Sequence, residues 1–370
     1  MRVMALMAVV ISTLTMNPSA LHVPGRAALI RQNVYIEDTD CFGILFYANY
    51  VRFYERAAVS LLGLEGCGRA LREGNLVIGV DGISGMKYKA PAVLGDEVDV
   101  GVEYRGCDST GRISFSASCV RASDGAELNR CADLRLAFRD RITGCVAPGW
   151  PYLPVNPSDL DALDAPAAGA SDNPPTSTDP SPDFSLQADE VGGCGSLSMH
   201  SALRLCERQR TSLIGGASAL AELQSSGLQA AVVPIPTPIP IHPHLHANLT
   251  PPLPNQPCLT SHHHPVPVVT RPTRSLHVPC QVVVARMDSA QLFDAAADTL
   301  LGDKVELRCR LRLRARDTMV VFEQWLISAE TNVPLARADV VCLCTEVDGS
   351  SAKMVAAPPE LRARLAEWID

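Results

Sequence analysis

The sequence predicts an α+β protein made of two related units, each with a helix that packs its apolar face against an antiparallel sheet. Two internal repeats carry this prediction. Residues 52–56 (Arg-Phe-Tyr-Glu-Arg) match residues 204–208 (Arg-Leu-Cys-Glu-Arg) at a shift of 152, so the helix occurs twice. Residues 94–98 (Leu-Gly-Asp-Glu-Val) match residues 301–305 (Leu-Gly-Asp-Lys-Val) at a shift of 207, so the sheet also occurs twice.

The helix of the first unit is predicted over residues 50–62, where apolar side chains recur at helical spacing. Gly63 and Gly66 lie where such a helix would end, because glycine commonly follows the last helical residue.

The strands follow the helix in each unit. Residues 98–104 alternate apolar and polar side chains, and residues 113–120 do so in part. Hairpin turns are predicted at residues 108–111 (Asp-Ser-Thr-Gly) and 123–125 (Ser-Asp-Gly). In the second unit, residues 307–316 alternate apolar side chains with arginines, which predicts a strand with one cationic face.

Residues 35–50 (Tyr-Ile-Glu-Asp-Thr-Asp-Cys-Phe-Gly-Ile-Leu-Phe-Tyr-Ala-Asn-Tyr) are the most informative stretch for function. Two carboxylates, Asp38 and Asp40, and a turn at Gly43 lead directly into the predicted helix. This order can place a carboxylate beside a helix N-terminus, where unpaired N–H groups and the helix dipole stabilise a developing oxyanion.

The stretch resembles the signature of the aspartate-dependent hotdog-fold thioesterases, the 4-hydroxybenzoyl-CoA and short-chain acyl-CoA thioesterase group. The matching residues are Asp38, Asp40, Gly43, Ile44, Leu45, Tyr47, Asn49, Tyr50, Arg52, Phe53 and Glu55. Residues 86–96 (Met-Lys-Tyr-Lys-Ala-Pro-Ala-Val-Leu-Gly-Asp) resemble the second landmark of that family, its Pro-Ala-x-x-Gly-Asp turn. The resemblance is strong over about residues 28–150 and weak over 183–365. It implies a tandem double hotdog, in which each curved sheet wraps a central helix and the two units pack as a pseudo-dimer.

The resemblance also implies the catalytic roles. Asp40 matches the essential aspartate, which attacks the thioester carbonyl or activates a water molecule. The alternative is that Asp40 only caps the following turn. Tyr47 matches the position whose backbone N–H polarises the thioester carbonyl, and Gly43 shapes the turn between the two.

The neighbouring positions have two interpretations each. Asp38 is a second acid or loop-orienting group, or else an exposed turn residue. Asn49 fixes the loop by hydrogen bonds, in preference to substrate contact, and Tyr50 is a candidate for substrate binding. Glu55 and Arg56 are expected to form an ion pair or a solvated helix face.

Candidate groups for the phosphates of CoA are Lys87, Lys89 and the arginines of residues 308–316, because phosphate favours cationic donors. The alternative for all of them is an ordinary solvated strand face.

The second unit departs from the signature at its key position. At the shift of 152, Asp40 falls on Gly192, Tyr47 on Met199, Asn49 on Ser201 and Tyr50 on Ala202. Glu190, opposite Asp38, and Gly195, opposite Gly43, retain part of the pattern, but no carboxylate remains opposite Asp40. We therefore predict that the second unit is catalytically inactive and serves as the partner surface.

Composition divides the rest of the chain into segments. Residues 1–26 have the short basic start, apolar run and small residues of a presequence. The catalytic unit spans 28–153, a linker rich in Pro, Asp, Ser and Ala spans 154–182, and the degenerate unit spans 183–365. The two repeat shifts differ by 55 residues, and a Pro- and His-rich insertion at about 230–279, expected to be disordered, accounts for the difference.

The bulk properties exclude several functions. A net charge of −8 without a block of like charges argues against nucleic-acid binding. The 13 cysteines show no Cys-x-x-Cys pair, and the histidines at residues 242–264 lack nearby ligands at metal-binding spacing, so neither a disulfide framework nor a metal site is expected. No dinucleotide fingerprint, phosphate-binding loop or nucleophile elbow is present.

The function predicted is hydrolysis of an acyl- or aroyl-CoA thioester to the free acid and CoA, without cofactor or metal. The alternative is a non-catalytic hotdog protein that binds acyl thioesters or acts as a scaffold. Among enzymes, an acyl-carrier-protein or 1,4-dihydroxy-2-naphthoyl-CoA thioesterase is the alternative. The presequence predicts a plastid or other organelle, or alternatively the secretory route. We expect no membrane span, an intrachain pseudo-dimer and some further self-association.

Overall fold

The computed structural model shows two sheet-and-helix units joined edge to edge. It describes residues 27–40, 43–147, 174, 184–187, 197–216, 218–219, 222, 228–230, 280–299, 302–348 and 351–366. The predicted presequence lies outside the described residues, as do nearly all of the linker and of the insertion.

The front unit, residues 27–147, contains two helices and five strands. Its elements are β1 (Ala27–Asn33), a 3-10 turn (Ile36–Asp38), α1 (Asn49–Leu62), α2 (Leu64–Gly74), β2 (Leu76–Tyr88), β3 (Glu97–Cys107), β4 (Ile113–Arg121) and β5 (Glu127–Asp140).

The rear unit, described from residue 184, also places a helix between a short first strand and four long strands, with further short elements. Its elements are β6 (Phe184–Ser185), α3 (Met199–Leu213), β7 (Leu228–Ala230), β8 (Cys280–Leu292), a 3-10 turn (Asp294–Asp298), β9 (Lys304–Arg314), β10 (Met319–Ser328), β11 (Pro334–Asp348), β12 (Ser351–Met354) and α4 (Pro359–Leu365).

The described strands form one sheet whose order reveals a pseudo-twofold arrangement. The order is β1-β3-β4-β5-β2-β8-β11-β10-β9-β6, with β12 beside β11 and β7 beside β8. Read outward from the central β2–β8 pair, β5 corresponds to β11, β4 to β10, β3 to β9 and β1 to β6. The predicted α+β class and its tandem pseudo-dimer are therefore confirmed.

Equivalent hydrogen bonds confirm both repeat shifts. Val34 N–H donates to Asp96 O at 2.9 Å in the front unit, and Leu186 N–H donates to Asp303 O at 2.9 Å in the rear unit. Residues 34 and 186 differ by the helix shift, whereas 96 and 303 differ by the sheet shift. The same hydrogen bond thus occurs in both units, between one residue related by the helix shift and one related by the sheet shift.

Helix α1 matches the predicted helix closely, but Gly66 does not end it. Gly63, with φ +93°, ends α1, and the chain then resumes as α2, which contains Gly66 and ends where Asn75 adopts φ +53°. A positive φ at Gly63 breaks the hydrogen-bond ladder without stopping the helical trend that follows.

Strand β9 ends two residues before its predicted end and begins three residues before its predicted start. Its alternating arginines continue to Arg316, but Ala315, Arg316 and Asp317 all have positive φ and form the turn to β10. The alternation in sequence therefore outlasts the strand.

The seam between the units is the β2–β8 pair, in which Met86 lies opposite Met287. Both methionines are fully buried. A buried carboxylate, Asp81, reinforces the seam: Arg112 Nε lies 2.5 Å from Asp81 Oδ2, and Arg112 Nη2 lies 3.3 Å from Asp294 Oδ1 in the rear unit. The units share both apolar and ionic contacts.

Candidate functional site

The two sequence landmarks of the front unit lie directly against each other. Leu45 N–H donates to Ala92 O and Leu94 N–H donates to Gly43 O, each at 2.9 Å. Ile44 and Val93 form an antiparallel bridge between these bonds. The loop that carries the carboxylates therefore rests on the Pro-Ala-x-x-Gly-Asp turn.

Asp40 occupies the first position of a tight hairpin. Its N–H donates to Ile44 O at 2.8 Å, and its carbonyl accepts from Gly43 N–H at 3.1 Å. Gly43 has φ +74°, a conformation that permits the turn at low steric cost. Asp40 Oδ1 accepts from Ile44 N–H at 3.1 Å, and the residue is half-buried. The side chain thus caps its own turn, as the alternative interpretation expects, on the loop that leads into α1.

Asp38 is buried, which excludes the exposed-turn interpretation. It is 1% exposed, and its Oδ2 accepts from Tyr35 N–H at 3.2 Å. Its Oδ1 is buried without a hydrogen-bond partner among the described residues. The Asp38 carbonyl accepts from Phe46 N–H at 2.9 Å. Asp38 therefore orients the loop and leaves one carboxylate oxygen unpaired.

The first turn of α1 has no side-chain cap. Ala48 occupies the N-cap position, where a residue with a side-chain oxygen would normally accept from the exposed N–H groups. Asn49 N–H donates to Phe46 O at 2.8 Å, but the N–H of Tyr47 makes no hydrogen bond with another described residue. A backbone donor is thus available at the positive end of the helix dipole.

The Asn49 side chain joins the loop to the rear unit. Its Nδ2 donates to Asp38 O at 2.8 Å, and its Oδ1 lies 2.6 Å from Nε2 of His200, the second residue of α3. Asn49 is 5% exposed. Asn49 therefore fixes the loop by hydrogen bonds, as the preferred interpretation expects.

The Tyr47 side chain points away from solvent into the rear helix. Its hydroxyl donates to Leu203 O at 2.8 Å and accepts from Arg210 Nη2 at 2.5 Å, while its carbonyl accepts from the Tyr88 hydroxyl at 3.1 Å. Burial raises the pKa of the Tyr47 hydroxyl well above its ordinary value of 10.0. The Tyr47 side chain is therefore a structural anchor between the two units, and the predicted role of Tyr47 concerns only its main-chain N–H.

The remaining predicted residues are distributed between the core and the outer surface. Tyr50 is buried, with its ring centroid 5.7 Å from that of Tyr88. Lys87 and Lys89 are exposed and flank Tyr88 on β2 and just beyond its end, so they lie on the sheet face opposite the helices. Lys89 is paired with Glu127. The structure does not bring the lysines to the carboxylate loop.

The arginines of β9 are engaged by neighbouring carboxylates. Arg308 Nε lies 2.8 Å from Glu306 Oε1, and both Arg310 and Arg312 lie within 3.4 Å of Glu323. Such pairs on a half-exposed strand contribute little stability. Their contact with CoA stays a prediction.

Arg121 is a site-supporting residue that the sequence interpretation missed. Its Nε lies 3.0 Å from Asp96 Oδ2, and its Nη2 donates to Pro91 O at 2.5 Å. Asp96 Oδ2 also accepts from Val93 N–H at 2.9 Å. Arg121 thus holds the second landmark beneath the carboxylate loop. Nothing in its local sequence identifies it, because it lies 25 residues beyond Asp96 on β4.

Glu55 does not lie on a solvated helix face. It is half-buried on α1, and no described residue forms an ion pair with it. Burial raises its pKa to about 7, although backbone and nearby arginines act in the opposite direction. Arg56 instead donates to Gln32 Oε1 at 2.9 Å.

The rear helix begins differently from α1. Met199, Ser201 and Ala202 are all buried, and the Ser198 hydroxyl accepts from Ser201 N–H at 3.2 Å. The residues aligned with Asp38, Asp40 and Gly43 lie outside the described part of the chain.

Within the described ranges, no group of three or more His, Cys, Asp or Glu side chains is arranged to hold a metal ion. No described helix combines the length and apolarity that crossing a membrane requires.

Two named proteins are similar to part of this sequence, although no family model matches the chain. The acyl-CoA thioester hydrolase YbgC of Escherichia coli O6:H1 is 32% identical over 91 residues, which make up 25% of this chain and 67% of that protein. A Shigella flexneri protein of the same name matches with the same figures.

Two solved structures share the fold over most of the chain. An acyl-ACP thioesterase from Bacteroides thetaiotaomicron has a TM-score of 0.51 and 11% identity, covering 86% of this chain and 98% of that one. A putative oleoyl thioesterase from Lactobacillus plantarum has a TM-score of 0.54 and 7% identity, covering 86% of this chain and 95% of that one. At such low identity these likenesses establish the architecture alone.

Proposed function

Since this chain belongs to the hotdog-fold family of acyl-CoA thioester hydrolases, we propose that it cleaves its thioester substrate in the front unit, with Asp40 as the catalytic carboxylate. The observation that carries the assignment is the junction of a carboxylate hairpin with an uncapped helix start. A charged group and an unpaired N–H donor there belong to the same short stretch of chain.

The Asp40 carboxylate acts in one of two roles, as a general base or as a nucleophile. As a general base, it takes a proton from water while the water oxygen attacks the carbonyl carbon; the C–S bond then breaks, and the CoA thiolate takes up a proton. As a nucleophile, its carboxylate oxygen attacks the carbonyl carbon, and the C–S bond breaks as CoA leaves as the thiolate and takes up a proton. Water then hydrolyses the resulting acyl anhydride in a second step. A single turnover in ¹⁸O-labelled water followed by mass spectrometry separates the two routes, because the nucleophilic route can leave label in Asp40.

The Tyr47 N–H would stabilise the oxyanion. As the carbonyl carbon becomes tetrahedral, negative charge develops on its oxygen, and a fixed donor at a helix N-terminus stabilises that charge more than the neutral carbonyl. Removing one such donor in other enzymes costs about 2.7–4 kcal/mol. The Tyr47 hydroxyl bonds to α3 keep this donor in place.

A row of three cationic side chains at the seam between the units is a candidate binding site for the phosphates of CoA or of an acyl carrier protein. Lys87 on β2 lies in register between Arg130 on β5 and Arg286 on β8. The row spans both units on the outer face of the sheet, and Glu127 and Asp288 neutralise part of its charge. We assign it the nucleotide phosphates of CoA or the phosphopantetheine-bearing surface of an acyl carrier protein.

The test is thiol release by the purified full-length chain from a panel of aliphatic acyl-CoAs, aroyl-CoAs and acyl-carrier-protein thioesters. Release by the wild type that Asp40→Ala abolishes supports the proposal. Near-zero release from both proteins, with binding of the thioesters retained, would instead identify a binding module. The compartment stays a prediction of residues 1–26, and imaging of the chain with and without them would test it.

A further inference from the structure

The rear helix presents one face to the catalytic loop of the front unit. His200, Leu203 and Arg210 lie on this face of α3 at spacings of three and seven residues, which bring side chains to one side of a helix. His200 contacts Asn49, whereas Leu203 and Arg210 both contact the Tyr47 hydroxyl. The two front-unit residues flank the N-cap of α1.

The hydrogen bonds of Asn49 determine which nitrogen of His200 carries a proton. The Asp38 carbonyl can only accept, so the Asn49 atom 2.8 Å away must be the amide nitrogen. The amide oxygen then faces His200, and it too can only accept. His200 Nε2 must therefore carry hydrogen and donate to Asn49 Oδ1 at 2.6 Å.

We propose that His200 is a positioning residue for the front-unit site. It fixes the Asn49 amide, which holds the Asp38 carbonyl and so the loop that carries Asp40. Asn49 is also the first residue of α1, so the same bond fixes the helix start that presents the Tyr47 N–H. This inference rests on the proposed function and extends it: the rear unit lacks a signature carboxylate but contributes a side chain that completes the site.

The burial of Asn49 makes the contribution of His200 sensitive to substitution. Without a donor at position 200, Oδ1 of Asn49, a residue that is 5% exposed, is left unpaired, and only the bond to Asp38 O still holds the amide. Glutamine offers an Nε2–H donor at the end of a side chain of similar reach, whereas alanine offers none.

Steady-state kinetics on the best thioester of the panel test the proposal. We expect His200→Ala to lower kcat about tenfold with KM changed less than about twofold, as expected for one lost neutral hydrogen bond. His200→Gln should recover kcat to within about threefold of the wild type. Arg208→Ala, an exposed residue on the same helix, is the matched control and should keep full activity. A merely structural role for the imidazole would leave both His200 variants equally impaired, and that result would overturn the proposal.

A second measurement is independent of catalysis. The full chain with ¹⁵N-labelled histidine, at a pH where the imidazole is neutral, should show His200 as the Nε2–H tautomer, with its signals assigned by their loss in His200→Gln. An Nδ1–H tautomer would contradict the inference even if the enzyme is active. Conversely, the expected tautomer in a chain that hydrolyses no thioester would refute the proposed function and leave the contact intact.

Discussion

The two helices that the repeat produces differ most at their N-termini. In the rear unit, Ser198 accepts from Ser201 N–H and satisfies a donor of the first turn. In the front unit, Ala48 has no side-chain oxygen to offer, and the Tyr47 N–H has no partner in the described structure. The rear helix thus satisfies a first-turn donor within its own chain, whereas the front helix leaves a backbone donor unpaired, and it is this donor that the proposed function assigns to the substrate.

The buried faces of the two helices differ as well. In the front unit Ala57 and Ala58 are buried, and at the shift of 152 they correspond to Gln209 and Arg210. Both polar residues bond to Gln324 on β10 in the rear unit. The rear helix therefore packs through a buried polar network, whereas the front helix packs through small apolar side chains.

The largest effect is expected from substitution of Asp40, the proposed catalytic carboxylate of the front unit. Asp40→Asn should lower kcat about 10²- to 10⁴-fold, because the amide can neither accept a proton from water nor attack the carbonyl. Glu190→Gln, the change at the rear position opposite Asp38, should leave kcat within about twofold. Steady-state thiol release measures both. Retained activity in Asp40→Asn together with loss in Glu190→Gln would show that the active site lies in the rear unit, contrary to the proposal.

The polar network of the rear helix can be tested by removing its cation. Arg210→Met should lower the free energy of unfolding by about 3 kcal/mol, since Gln324 and Glu207 lose a buried donor. Arg208→Met makes the same chemical change at an exposed position and should cost less than about 0.5 kcal/mol. Urea denaturation of both proteins decides, and equal effects would show that Arg210 is not part of a stabilising network.

A third test compares Glu55 with its rear counterpart Glu207, at the shift of 152. The pKa of Glu55 is raised from 4.5 to about 7 by burial, so the folded state binds its proton more tightly than the unfolded state. Stability contributed by this group is thus full below about pH 4.5 and is lost as the pH rises to about 7. Glu55→Gln should raise the free energy of unfolding at pH 8 by about 1–3 kcal/mol and leave it nearly unchanged at pH 4.5.

Glu207→Gln is the control for that change, because Glu207 Oε2 accepts from Arg210 Nη2 at 2.5 Å. Its substitution should destabilise the chain at pH 8. Urea midpoints at both pH values supply the comparison, and stabilisation by both substitutions would show that the two carboxylates do not differ in environment.

The smallest effect is expected at the rear cap. Ser198→Ala should lower the free energy of unfolding by about 1 kcal/mol, because Ser201 N–H loses its acceptor. The loss in kcat should be smaller than that of His200→Ala, since the imidazole contact remains. Thermal unfolding and thiol release measure the two quantities, and an unchanged Tm would show that the rear helix does not depend on its cap.

Much of the fold was predictable because its signals are local or periodic. The helix at residues 50–62 follows from side-chain spacing, and the two shifts mark the second unit even where the residues differ. The errors occurred where one backbone angle outweighed a pattern. Gly66 lies inside α2, and Arg316 lies in a turn, because φ at neighbouring residues sets those boundaries.

The candidate site was predictable only in part. The resemblance brought Asp40, Gly43 and Tyr47 into one stretch, and the structure places the second landmark against them. Arg121 and His200 were missed, because an arginine on a strand and a histidine on a degenerate helix give no signal by themselves. The burial of Asp38 could not be predicted either, since a short polar loop is ordinarily expected to be exposed to solvent.

The α+β class, the tandem repeat and the carboxylate-turn-helix stretch could be predicted from the residues alone, since each depends on residues close together in the chain or on a fixed repeat shift. The contribution of the rear unit depends instead on how the two units pack. His200 meets Asn49 across 151 residues because β2 pairs with β8 and brings α3 against the start of α1. Such a contact depends on how two sheets share an edge, and no local pattern encodes it.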